Sequence, residues 1–235
     1  FTQFITWDTP LLEGYPHVIL HNERGDPFRG FRSLTGRGVY HLLERERPSA
    51  GLISSFLYEF DLVAYLSCRR LGIPIWIRHE TQDEAFPRST AKTFLRGILY
   101  RLAYAGVSHA FYIGQLNRDH LLRHGVDAAR LSFAPYCSPI RVAADSATQQ
   151  RSRDEIRRRL ALPPDEIVLL FSGKFIDKKN PSLIFDALEL LPPEDRKWFQ
   201  LIFVGSGILE ASLRARAASF PGRVHFTGFI NQSEI

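Results

Sequence analysis

Apolar runs of strand length recur along the chain, and between them the apolar residues fall at helical spacing. Runs at 2–6, 17–20, 52–55, 73–77, 110–113 and 131–134 predict strands, and stretches at 38–47, 61–71, 89–105 and 117–124 predict helices. Such alternation predicts βαβ units and an α/β fold with a parallel sheet. Residues 135–150 lack periodicity and are rich in Ser, Pro, Ala and Gln, which predicts a linker, with 141–150 as its narrowest part. A charged helix over 151–162 follows and stops at Pro163–Pro164. A second βα series then runs through a strand at 167–171, a helix from Leu183, a strand at 201–204, a helix at 209–218 and a strand at 224–226. Two α/β domains are therefore expected, 1–140 and 151–235.

The stretch 166–191 concentrates the candidate chemistry. Its strand ends at Gly173, whose missing Cβ allows a sharp turn. The loop beyond carries Lys174, Lys178 and Lys179. Asn180 is expected to cap the next helix and Pro181 to open it. Three ammonium groups between a strand's carboxyl end and a helix N-terminus favour an anion. A solvated surface loop is the plainer alternative, but open α/β sheets bind ligands at that edge.

Composition narrows the partners. The chain has 235 residues, 45% hydrophobic and 23% charged, as in ordinary globular proteins. Its net charge of +5 suits phosphates, nucleotides or an anionic membrane surface. Cys68 and Cys137 make neither a disulfide framework nor a metal site, which fits a reducing cytoplasm. No apolar run approaches the roughly 20 residues of a membrane span. The first residues do not read as a secretory leader. The chain begins at Phe1, has no Met and stops just after a strand and turn, so a fragment lacking both ends is expected.

Other local signals have weaker readings. Gly205 and Gly207 in VGSGILE suggest close backbone approach, but Glu210 replaces the third glycine of a dinucleotide fingerprint. His120 and His124 share one helix face at a spacing zinc can use. No third ligand is apparent along the sequence, so solvated histidines are expected. Arg157, Arg158 and Arg159 are balanced by Asp154 and Glu155, a charged solvent face rather than a nucleic-acid surface. Residues 92–104 place Lys92, Arg96 and Arg101 among Phe94, Leu95, Ile98, Leu99 and Leu102. That pattern fits a helix on an anionic bilayer, or one covering a sheet with a basic outer face. Arg78, His79, Glu80 and Asp83 follow a strand, and form either a site or an edge salt bridge.

GKFIDKKNPSLIFDAL, LIFVGSGILEASL and VHFTGFINQSEI together resemble the C-terminal half of family 4 GT-B glycosyltransferases, the bacterial "glycosyl transferases group 1". In that pattern a strand is followed by Gly and a basic residue, with a second Lys about five residues on, as at Gly173, Lys174 and Lys179. WDTPLLEGY, GIPIWIRHETQDE, FYIGQLNRDHLLRHGV and FAPY are similar to the acceptor-side half of bacterial members. The resemblance implies two facing Rossmann-like domains and sugar transfer, with retention, from a nucleotide-sugar donor to a saccharide or lipid-linked acceptor. It implies no metal and no cofactor. Gly173, Lys174 and Lys179 would hold the donor diphosphate, with Gly205, Gly207, Gly228, Phe229 and Ile230 near the nucleotide. His79 and Glu80 share the register of a catalytic position, and Arg78 and Asp83 would border the acceptor. The family's Gly-rich loop after its first strand and its glutamate pair do not occur in this sequence. Polysaccharide or glycolipid assembly in the cytoplasm, at or near the inner face of the membrane, is the implied setting. A non-catalytic nucleotide-sugar-binding module and a GT-B sugar-nucleotide epimerase are the competing readings. The 235 residues alone are expected to show little activity.

Overall fold

Two parallel sheets organise the protein. A computed structural model describes residues 10, 12–21, 23–24, 30–137 and 145–231. The chain divides into two compact units, one spanning His17–Pro139 and the other built mainly from Ile140–Ile235.

In the first unit the order is α1 (Val39–Glu46), β1 (Gly51–Ile53), α2 (Glu59–Leu71), β2 (Ile75–Arg78), α3 (Thr90–Tyr104), β3 (His109–Tyr112), α4 (Gln115–Arg123) and β4 (Leu131–Phe133). The four strands pair in parallel in chain order. Alternation along β2 buries Ile75 and Ile77 and leaves Trp76 40% exposed. The buried face packs Ile53, Ile75, Ile77 and Ala110 against Tyr65 and Cys68 of α2, Tyr104 of α3 and Leu121 of α4. Asp61 starts α2: its Oδ2 accepts from the Leu57 and Tyr58 amides at 3.0 Å each and from Ser55 Oγ at 2.5 Å. These bonds satisfy donors at the helix N-terminus that would otherwise be orphaned.

The second unit runs α5 (Ser146–Arg159), β5 (Ile167–Ser172), α6 (Leu183–Glu189), α7 (Pro193–Arg196), β6 (Phe199–Val204), α8 (Glu210–Ala217) and β7 (Val224–Gly228). Strands β5, β6 and β7 are parallel neighbours in that order. The core is phenylalanine-rich. Phe203 is fully buried, stacked between Phe185 at 5.4 Å and Phe226 at 5.2 Å, with Phe175 edge-on at 6.0 Å. Each fully buried Phe contributes about 1.5–3 kcal/mol, and each well-placed ring pair about 0.5–1.5 kcal/mol more.

Several expectations need correction. Residues 17–20 form no strand, and Val18 and Ile19 are more than half exposed. A three-residue apolar run becomes a strand only with a partner, and among the described residues none pairs with it. The strand expected at 2–6 and the linker positions 141–144 lie outside the described residues. Linker positions 146–150 are helical, because Asp145 caps α5 by accepting from the Thr148 amide at 2.6 Å. Asn180 does not cap the following helix. It sits left-handed at φ 44° after a 3-10 turn (Asp177–Lys179), and α6 begins only at Leu183 with Ser182 before it. Asn tolerates this conformation better than most residues, which delays the helix.

Candidate functional site

The carboxyl ends of β5, β6 and β7 share one edge of the second sheet. There the chain leaving β5 is stitched to its neighbours. The Gly173 amide donates to Val204 O at 2.9 Å, the Phe175 amide to Ser206 O at 3.0 Å, and the Gly205 amide to Gly228 O at 2.8 Å. Phe175, buried at 1% exposure, anchors the loop in the phenylalanine core. Gly205 and Gly207 permit this closeness. A Cβ at Gly205 would collide with the Gly173 carbonyl, and one at Gly207 with the Phe175 backbone. Their primary role is thus to seat the loop, which answers the close-approach expectation with a protein partner.

The loop presents Lys174, Lys178 and Lys179 to solvent. Among the described residues, none of the three is ion-paired. Asp177 in the same loop offsets part of their charge but pairs with none of them, so the loop remains net positive at the sheet edge. A helix dipole adds little, since α6 has only 7 residues and no side-chain cap. Gly228 ends β7 at φ 74°, followed by exposed Phe229 and half-buried Ile230.

In the first unit, the residues after β2 part into two groups. Arg78 donates from Nε and Nη2 to Ala134 O, at 3.2 and 3.1 Å, and its guanidinium covers the Tyr136 ring at 4.2 Å. A hydrogen bond to Glu80 raises the Tyr136 hydroxyl pKa above its ordinary value. Arg78, exposed Glu80 and Tyr136 thus gather beside the carboxyl ends of β2 and β4. Among the described residues, no ion pair joins Arg78 to Glu80 or Asp83, so the edge salt bridge does not form.

His79 and Asp83 turn inward to a different set. The Thr81 amide donates to His79 Nδ1 at 3.3 Å. Burial and the nearby His120 lower the His79 pKa to about 4, so the ring is neutral. Its one proton must then sit on Nε2, which donates to Tyr104 Oη at 3.1 Å. Tyr104 in turn donates to His120 Nε2 at 2.9 Å, and His120 Nδ1–H donates to Asp83 Oδ1 at 2.9 Å. Every proton in this chain is fixed by the one amide that starts it. Asp83 also receives His124 Nε2 at 3.3 Å and Arg123 Nη1 at 2.7 Å. Burial alone would raise the Asp83 carboxyl pKa, but the two histidines outweigh it and hold the value down. Burial keeps His120 neutral despite its carboxylate partner.

The histidines of α4 are therefore not solvated, as the sequence had suggested. His120 is fully buried and His124 is 8% exposed. A third ligand is present as well. Asp83, His120 and His124 each bring a ligand atom within 4.8 Å of the others. Tyr104, which ties His79 to His120, carried no signal beyond its apolar surroundings in the sequence, whereas Tyr136 stood only within the FAPY block.

Residues 92–104 lie in α3. Phe94 is 72% exposed and Leu102 66%, with Leu95 and Leu99 also more than half exposed. That face does not cover the sheet. A groove of about 470 Å³ separates it from Pro87 and Arg88 and includes Lys92 and Arg96. No helix among the described residues is long and apolar enough to cross a membrane.

Residues 152–235 match the family model "Glycosyl transferases group 1". No curated protein matches the sequence. Among solved structures, the chain is similar to HepE of Anabaena, 17% identical over 82% of this chain and 51% of that one. The TM-scores are 0.61 for HepE in complex with UDP, 0.57 with UDP-glucose and 0.56 with UDP and glucose. The chain thus spans about half the length of the structures it matches. The likeness establishes the fold as α/β of the GT-B type, with parallel sheets.

Proposed function

We propose that the chain carries the donor-binding and acceptor-side domains of a glycosyltransferase. It would move a sugar from a nucleotide-diphosphate donor to a saccharide or lipid-linked acceptor, with retention, during polysaccharide or glycolipid assembly at the cytoplasmic face of a membrane. One observation carries the reading. The segment matching the group 1 family contains three unpaired lysines at the carboxyl edge of a parallel sheet. HepE, which shares the fold, binds UDP and UDP-glucose.

Breaking the glycosidic bond leaves negative charge on a nucleoside diphosphate. Lys174 and Lys179, held beside Gly173, would stabilise that charge as it grows. Gly228, Phe229 and Ile230 would flank the nucleotide. Neither a metal nor a cofactor is needed for this step. In the first domain both His79 ring nitrogens are engaged internally. The exposed Glu80 carboxylate, with Arg78 and Tyr136, is then the group left to meet an acceptor hydroxyl. The exposed apolar and basic face of α3 would rest on an anionic bilayer.

Titrating the chain with UDP, GDP and their sugar conjugates tests the donor site by calorimetry. Saturable nucleotide-diphosphate binding, weakened about 10-fold or more by Lys174→Ala or Lys179→Ala, is expected from the loss of a charge-assisted bond. No binding of any nucleoside diphosphate, or binding indifferent to both lysines, would overturn the assignment. Products formed with and without a saccharide acceptor separate transfer from epimerisation and from binding alone.

A further inference from the structure

We propose that Asp83, His120 and His124 form a binding site for a divalent transition metal of the zinc class. The proposal is independent of the donor site, which lies in the other unit. Its origin is local. His120 lies in the last turn of α4 and His124 caps its C-terminus four residues on, and the loop after β2 lays Asp83 across them. Asp83 Oδ1 lies 2.9 Å from His120 Nδ1 and 3.3 Å from His124 Nε2, and the three ligand atoms fit within 4.8 Å. A tetrahedral zinc with bonds of about 2.0–2.1 Å holds its ligand atoms about 3.3 Å apart. The two separations from Asp83 Oδ1 therefore already stand near the spacing that a single ion requires, and the third lies within 4.8 Å, in reach of a small rotation of either imidazole.

The surroundings fit as well. Metal-bound imidazoles are usually oriented by a partner on their other nitrogen, and Tyr104 Oη meets His120 Nε2 at 2.9 Å. Arg123 holds Asp83 Oδ2 at 2.7 Å, leaving Oδ1 as a single-atom ligand. Two imidazoles with one carboxylate select zinc, cobalt, nickel or iron over magnesium and calcium. A cavity of about 130 Å³ beside Asp83 and His124 leaves room for a fourth ligand. Arg88, Arg96 and Arg123 line it, so that ligand would be an anion or a polarised water. The same arginines oppose a dication and make the site weaker than a closed structural one.

Coordination would leave a mark on the hydrogen-bond chain. A metal on His120 Nδ1 moves that ring's proton to Nε2, which then donates to Tyr104. The Tyr104 proton must turn toward His79 Nε2. The His79 proton moves to Nδ1, and the Thr81 amide loses its acceptor. Metal binding is thus read at an amide four bonded contacts away.

The test starts from the intact chain, stripped with a chelator and titrated with Co(II), then competed with Zn(II). One equivalent of Co(II) should bind with the visible absorption of a low-symmetry four- or five-coordinate ion, and zinc should displace it. His124→Gln and Asp83→Asn should lose that equivalent, while His41→Gln, on the exposed face of α1, should keep it. Tyr104→Phe should weaken it about 10- to 100-fold. If a variant does not fold, nitrogen-15 spectra of the wild-type histidines and of the Thr81 amide decide alone. Both must change with the first equivalent of zinc. Absence of stoichiometric binding at micromolar metal, or unchanged His120, His124 and Thr81 resonances, overturns the proposal.

Discussion

Tyr104 Oη lies 2.9 Å from His120 Nε2, inside a core where Tyr104 is 1% and His120 0% exposed. The same oxygen accepts from His79 Nε2 at 3.1 Å. One hydroxyl thus satisfies an acceptor and a donor that water cannot reach. Tyr104→Phe keeps the ring stacks on Tyr100 and His79 but strands both nitrogens. A buried unsatisfied polar group costs about 1–3 kcal/mol, so the variant should lose about 2 kcal/mol. Urea unfolding measures it, and a loss under about 0.5 kcal/mol would place it within ordinary surface-substitution scatter and contradict the hydrogen-bond chain.

The same burial makes stability depend on pH in metal-free protein. His79 titrates near 6.5 when unfolded and near 4 when folded. Between those values the unfolded chain binds a proton that the native chain refuses, so acid favours unfolding. The contribution of neutral His79 is fully present above pH 6.5 and is lost as pH falls toward 4, amounting to about 3 kcal/mol. His120, whose pKa is also lowered, acts in the same direction. Denaturation midpoints taken from pH 7 to pH 4 should fall steadily, and less steeply in His79→Gln. A flat profile would mean that His79 takes up its proton in the fold as readily as in the unfolded chain.

Much of the architecture was legible because parallel strands are written as short apolar runs. Ile167–Ser172, Phe199–Val204 and Ile75–Arg78 lie within two residues of where periodicity put them. The Gly173 turn was legible too, since a glycine and a basic loop after an apolar strand have few other readings, although the strand itself is less buried than its composition suggests, with Leu170 61% exposed. Asn180 misled because the rule that makes Asn a good cap also makes it a good left-handed residue. The α4 histidines were misread for a different reason. Their spacing shows that they share a face, but not what covers it, and Asp83 arrives from 37 residues away. Long-range polar contacts of this kind leave no periodic trace.

The glycines at the second sheet edge should differ sharply from one another. Gly205→Ala places a methyl on the Gly173 carbonyl at φ 133°, where neither backbone can yield without breaking the loop's hydrogen bonds. Gly228→Ala meets open space and pays only for its left-handed backbone at φ 74°. About 1–2 kcal/mol is expected at Gly228, and about 4 kcal/mol or an unfolded second unit at Gly205. Thermal unfolding of the two variants ranks them. Equal losses would show that the Gly173–Phe175 loop is not seated as described.

The α3 face allows binding to be separated from folding. Leu95 and Leu99 are 58% and 57% exposed, so charging them removes little native packing. Leu95→Glu with Leu99→Glu should leave the unfolding free energy within about 0.5 kcal/mol of wild type. On an anionic bilayer the same pair would meet both a lost apolar anchor and like charge. Co-sedimentation with vesicles rich in phosphatidylserine or phosphatidylglycerol should therefore fall sharply in the double variant. Wild-type binding should weaken as salt rises, because Lys92, Arg96 and Arg101 attract the surface over roughly a Debye length. Binding to neutral vesicles as strong as to anionic ones would remove the electrostatic half of the argument. Retention of binding by the double variant would remove the rest.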